Sequence, residues 1–383
     1  MKLLSRYAFL AAQFICFSAF AGIDPIESNA ALKKAAGFAI SNYTGVVAES
    51  YRMLRDSISN LRSGLHQLVK SPNEENLATA RRLWKNSRDQ YSRTEAFRFY
   101  GGPIDNAEDG PEAFLNAWPI DEGYIDSVRG AEGSGIVNKP KEFPDLSKAV
   151  LLGLNEKNGE KNISTGYHAV EFLLWGQDFS TTGPGNRPAS DFLSKTPNDA
   201  AARRGQYLIT LIELMEKQVD GLSREWTGEK GSYAAALIKE SSNEALRRIF
   251  TGITTLTLDE MAGERMTVPL EIQDQENEQD CFSDYTLNDF LSNQQGITLI
   301  VLTLKPLLEL SDKSLSHKLL AKLEETRVAL EALQQAGPFD QIVAPTGSKA
   351  AKQLARKAIA ALEAQSAAMA ASGRALGLEL NVE

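Results

Sequence analysis

His168 and Glu171 stand three residues apart in Gly166-Tyr167-His168-Ala169-Val170-Glu171, inside an apolar run that ends at Trp175. Residues three apart share one face of a helix. An imidazole and a carboxylate on one face can share a metal ion, as the Glu-x-x-His pairs of di-iron bundles do. Here the order is reversed and the pair is single, so the other donors of a zinc, iron or manganese ion must come from elsewhere. The same pair can equally be a buried histidine hydrogen-bonded to a glutamate. A zinc-protease helix is not supported. It needs His-Glu-x-x-His, and the residue four after His168 is Phe172. The remaining histidines, His66 and His317, lie in polar helical stretches and read as surface residues. No Gly-x-Ser-x-Gly occurs, which removes the usual serine-hydrolase turn.

Two further blocks carry groups able to meet a ligand or a cation. "TEAFRFYGGPID", 94–105, sets Glu95 and Arg98 three apart at a helix end. This is either a surface ion pair or a carboxylate and a guanidinium at a pocket mouth. "NAWPIDEGYID", 116–126, repeats Pro-Ile-Asp and adds Asp121, Glu122, Tyr124 and Asp126. A third block runs from Gly263 to Asp289. From Glu271 onward it holds many acids and no Lys or Arg. A like-charge run is often a solvated face, yet Cys281, Phe282 and Tyr285 are embedded in it. Clustered carboxylates suit a hard cation, although the spacing is not that of an EF-hand.

The elements that must position these groups are helical. Leu77, Ala80, Trp84, Ser87 and Tyr91 step by three or four, and so do Leu208, Leu211, Met215, Val219 and Leu222. Leu315, Leu319, Leu323, Leu330 and Leu333 form a third stripe after a cap at Ser311 or Asp312, and 348–376 is rich in good helix formers. Ser71-Pro72-Asn73-Glu74 reads as a capping box with Pro at the first helical position. No sustained alternating run is present, so little or no sheet is expected. The chain of 383 residues exceeds one small core. A soft boundary falls in "WTGEKGS", 226–232. The expectation is all-α: two packed helical bundles, 22–228 and 229–383, with long motif-bearing loops at 101–146, 179–190 and 267–285 near their interface.

Residues 1–21 read as a cleaved export signal. Lys2 and Arg6 precede an apolar run from Tyr7 to Phe20, and Ala19-Phe20-Ala21 fits the small-x-small cleavage pattern. The run is short for a membrane span and no later stretch is better, so no transmembrane segment is expected in the mature chain. Cleavage takes the formal charge of −9 to about −11, a balance that repels nucleic acid and anionic lipid. It also removes Cys16 and leaves Cys281 alone, without a disulfide partner and expected to be buried and inert.

Taken together, "TEAFRFYGGPID", "NAWPIDEGYID", "GYHAVEFLLWGQD" and "AGERM…DCFSD", in that order, resemble the imelysin family, which includes proteins of the iron-regulated protein A type. The resemblance runs from about residue 35 to the C-terminus. It implies two helical bundles with the motifs near their interface, a location in the periplasm or at the outer membrane, and a link to iron uptake or homeostasis. The family is also classed as a metallopeptidase group. With the helix pair and the acidic-aromatic blocks, this context leads to the expectation that His168 and Glu171 bind an iron or zinc ion, with Glu95, Asp121 and Glu264 as added ligands. Arg98, Asp105, Trp118, Trp175 and Arg265 are expected to flank that ligand set. Partners would be iron-uptake machinery or a small iron-containing ligand. In a peptidase, Glu171 would be the general base on a metal-bound water. Iron-regulated members carry histidines around the Cys-Phe-Ser-Asp element. Here those places fall at Gln279 or Asp280 and at Leu287, so that part of the site is lost or replaced by carboxylates.

Overall fold

The computed structural model describes residues 24–180, 182–273 and 278–380. The export signal expected at 1–21 lies outside them, as does Cys16. Eight long helices carry the architecture: α1 Ala30–Lys70, α2 Glu74–Thr94, α3 Gly166–Trp175, α4 Ala200–Glu225, α5 Ser242–Thr255, α6 Thr286–Ser311, α7 Lys313–Gln334 and α8 Lys349–Ala375. A π-helical segment, Leu256–Thr267, continues α5 directly. The fold is all-α. Among the described residues the only extended pairing is an isolated bridge, Val128 to Ala131.

Local chemistry accounts for the helix starts. Asp312 accepts from the amides of Ser314 and Leu315 at the head of α7, and Asp199 does so from Ala202 at the head of α4. Such caps satisfy amides that have no partner within the helix. At α2 the capping residue is Asn73, which accepts from the Asn76 amide at 2.8 Å. Pro72 therefore stands before the helix rather than inside its first turn. The stripe from Leu77 to Tyr91 is fully buried.

Helices α1, α2 and α4 pack together, and so do α6, α7, α8 and the π segment. Helix α6 also lies along α1 and α2, and one continuous apolar cluster runs from Ile26 to Leu378. The boundary expected near 229 falls between α4 and a short helix, Tyr233–Leu237. Close approach of α6 to α2 depends on Gly296, where an added Cβ would stand 2.2 Å from the Arg93 carbonyl oxygen. The long connection from α2 to α3 is wound into short turns such as Glu112–Leu115 and Glu122–Ile125. No helix among the described residues is long and apolar enough to cross a membrane.

Candidate metal centre

Helix α3 is buried along its whole length. Its first residue, Gly166, has φ +91°, and a Cβ there would stand 2.6 Å from the Leu115 carbonyl oxygen. Only glycine meets both conditions, and this seats α3 against the turn that carries Asn116 and Trp118. One turn in, His168 Nδ1 lies 3.2 Å from Glu171 Oε2. The three-residue spacing thus does bring the pair together, with both side chains buried.

The third member comes from the loop before α6. Asp280 Oδ1 lies 3.6 Å from His168 Nδ1. One donor atom each from His168, Glu171 and Asp280 fall within 4.8 Å of one another. Glu171 Oε1 is fixed by Ser283, whose amide donates at 2.9 Å and whose hydroxyl donates at 2.6 Å. Glu171 Oε2 thereby faces the imidazole. His168 Nε2 makes no hydrogen bond, and beyond the imidazole the Asp280 carboxyl is met only by the Arg88 guanidinium and the Asp289 carboxyl. Buried polar atoms without partners are uncommon and call for an explanation. One nitrogen and two carboxylates, buried and under-satisfied, form a donor set that suits Fe²⁺, Mn²⁺ or Zn²⁺, and the residues fit such an ion.

Arg88 of α2 supplies the positive charge behind this cluster. Fully buried, it stands 2.6 Å from Asp289 Oδ2 and 3.3 Å from Asp280 Oδ1, and it donates to the Asn116 amide oxygen. Burial holds the His168 imidazole well below its usual range, with Arg88 and Arg265 adding to the effect. Burial pushes the Glu171 carboxyl up to about 8, against the pull of Ser283 and Arg88. Asp280 is pushed up to about 6, mainly by burial, with Arg88 opposing. At neutral pH a metal ion held here would meet a neutral imidazole and would have to displace the Glu171 proton.

The sign of the resulting pH dependence follows. The unfolded histidine is still half protonated at pH 6.5 and gives up the rest of its proton above it, so its opposing effect fades from pH 6.5 upward. Between there and about 8 the folded Glu171 still holds a proton that the unfolded chain has released. The native state binds more protons, so stability falls as pH rises. The metal-free protein is expected to lose melting temperature from pH 6.5 to 8, and Glu171→Gln is expected to reduce that slope, leaving the part that Asp284, raised to about 7, contributes. Thermal melts across the window check this.

The other carboxylates expected as ligands lie elsewhere. Glu95 is fully buried, but it faces the Arg265 guanidinium at 2.7 Å, that of Arg98 at 3.1 Å, the Asn293 amide at 2.7 Å and the Asn116 amide at 3.0 Å. Burial opposes its charge, yet Arg265, Arg98 and Arg88 outweigh that and hold it down to about 2. Its acceptors are taken by cations and amides. Asp121 and Glu264 are exposed. Among the described residues, none of these three joins the His168 group.

The flanking residues divide in the same way. Asp105 accepts from the amides of Phe99 and Gly102 and fastens a turn. Trp175 is buried against Trp84, with Arg81 and Lys85 over its ring. Trp118 lies with its ring centre 5.1 Å from that of His168. It also lines a cavity of about 610 Å³, together with Arg98, Arg265, Glu264, Lys161 and Gln279. Gln279 adjoins Asp280, so this polar chamber borders the His168 cluster beside Trp118. His66 and His317 are exposed. Cys281 is half-buried, and burial pushes its thiol well above the usual range.

Residues missing from the expected ligand set were Asp280, Arg88 and Ser283. The signal for Asp280 was its place just before Cys-Phe-Ser-Asp, where a histidine was looked for. Arg88 gave no local signal, because its partners lie about two hundred residues further along the chain.

Comparison with known proteins agrees with this architecture. The chain is 26% identical over 261 residues to Iron-regulated protein A of Synechococcus elongatus, a match spanning 66% of this chain and 60% of that protein. The fold superposes on a protein described as an iron-regulated protein A precursor from Parabacteroides distasonis, with a TM-score of 0.70 at 16% identity over 90% of this chain and 95% of the other. It also superposes on an imelysin-like protein from Psychrobacter arcticum, with a TM-score of 0.63 at 13% identity over 90% and 98%. The sequence pattern of imelysin, the peptidase M75 family, matches residues 47–369, and the chain belongs to that family.

Proposed function

We propose that this protein is an exported, periplasmic binding protein of iron handling, which holds a transition-metal ion or a small iron-containing ligand through His168, Glu171 and Asp280. The observation that carries the reading is the convergence of one imidazole and two carboxylates in a buried, under-satisfied cluster. The relative named Iron-regulated protein A supports the link to iron. Three protein donors leave coordination positions open, and the chamber behind Trp118 offers room and charge for a ligand that fills them. Arg98 and Arg265 line that chamber and suit an anionic ligand, although Glu95 already engages both.

The metallopeptidase reading follows from the family's name and would use Glu171 as base. The donor set lacks the second histidine of the usual protease helix, and Ser283 fixes one Glu171 oxygen. Binding is therefore the better-supported activity. Metal analysis of purified protein after iron or zinc supplementation tests it. Near-stoichiometric metal is expected in the wild type, and little in the His168→Ala/Glu171→Ala double variant. Equal and negligible metal in both would overturn the proposal. Chelator-sensitive cleavage of an unfolded substrate by the wild type alone would favour the peptidase.

A further inference from the structure

A second group of carboxylates meets beside the same segments. Asp178 follows α3, Asp284 lies four residues after Asp280, and Asp340 belongs to the short helix Phe339–Val343. One oxygen of each lies within 4.8 Å of the others. Like charges this close are costly unless something neutralises them. Among the described residues, no arginine plays the part that Arg88 plays at Asp280. Lys85, half-buried over the Trp175 and Tyr285 rings, is the cation acting on Asp284.

The hydrogen bonding is just as incomplete. Asp340 is 1% exposed; its Oδ1 accepts from the Gln341 amide at 2.6 Å, while its Oδ2 has no partner. The Asp284 carboxyl is partnered only by that of Asp178, and Asp178 also accepts from the Ser180 amide at 2.8 Å. Glu278, fully buried and partnered only by the Thr286 hydroxyl, adds its field to Asp340 and Asp284. Burial, together with the facing carboxylates, pushes Asp284 up to about 7. Two half-buried carboxylates and one buried one, with more acceptor oxygens than donors, are what a bound cation completes.

We propose that Asp178, Asp284 and Asp340 form a second cation site, for a hard divalent ion such as Ca²⁺. The donors are all oxygen, without the imidazole that suits the His168 cluster to softer metals. Because Asp284 and Asp280 share one loop, a cation here fixes the segment that delivers Asp280 to His168. The proposal stands independently of the reading of the His168 centre.

Calcium titration of the metal-stripped full chain by calorimetry tests it, alongside thermal melts. One Ca²⁺ is expected to bind the wild type and the His168→Ala/Glu171→Ala variant with similar affinity, raising the melting temperature of both. Asp284→Asn and Asp340→Asn are each expected to weaken binding at least tenfold. Both should melt, without calcium, no lower than the wild type, since each removes an unneutralised charge. No calcium binding by the wild type would overturn the proposal, as would undiminished binding by the asparagine variants. So would loss of calcium binding in the His168/Glu171 variant, or asparagine variants that melt below the metal-free wild type.

Discussion

Arg88→Met is expected to destabilise the folded chain by about 3–5 kcal/mol, the cost of removing one partner of a buried ion pair. Methionine keeps most of the volume and all of the apolar stem, so the loss is electrostatic. Asp280 and Asp289, both fully buried, would lose the guanidinium they share. Asn116 would lose the donor to its amide oxygen. The measurement is the denaturant midpoint of the metal-free variant. Adding Asp289→Asn to Arg88→Met removes one of the stranded charges and is expected to recover part of the loss. That recovery separates a charge effect from a packing defect.

The second large effect concerns the ligand set. Asp280→Ala is expected to weaken iron or zinc binding by about 100-fold or more, since even the loss of a hydrogen-bond partner to a metal ligand costs about 10–100-fold. Glu264→Gln is expected to leave the affinity unchanged, because that side chain is exposed and outside the His168 group. Isothermal titration of the two variants side by side distinguishes the ligand set built in space from the one expected along the sequence. Equal losses in both would return Glu264 to the site.

Much of this fold was legible in the sequence, for reasons local to each helix. The stripe of Leu77, Ala80, Trp84, Ser87 and Tyr91 encodes a buried face, and Asp312 announces α7 through a cap. The π winding of Leu256–Thr267 has no such local signature and was not foreseen. The pairing of His168 with Glu171 was legible because a helix fixes what lies three residues away. In sequence Glu95 stands among aromatic and polar residues, a setting that suits a ligand. Arg265, 170 residues later, neutralises it instead. The same long-range arithmetic hid Asp280. Its surroundings in sequence are acidic and suggested a solvated face, whereas Arg88 makes its burial tolerable.

X-ray absorption of the iron- or zinc-loaded protein tests the central claim most directly. The account predicts a first shell of nitrogen and oxygen only, about 2.0–2.2 Å from the metal. It also predicts an imidazole scattering signature that disappears in His168→Ala. A sulfur shell from Cys281, a shell without imidazole in the wild type, or no bound metal at all would contradict it.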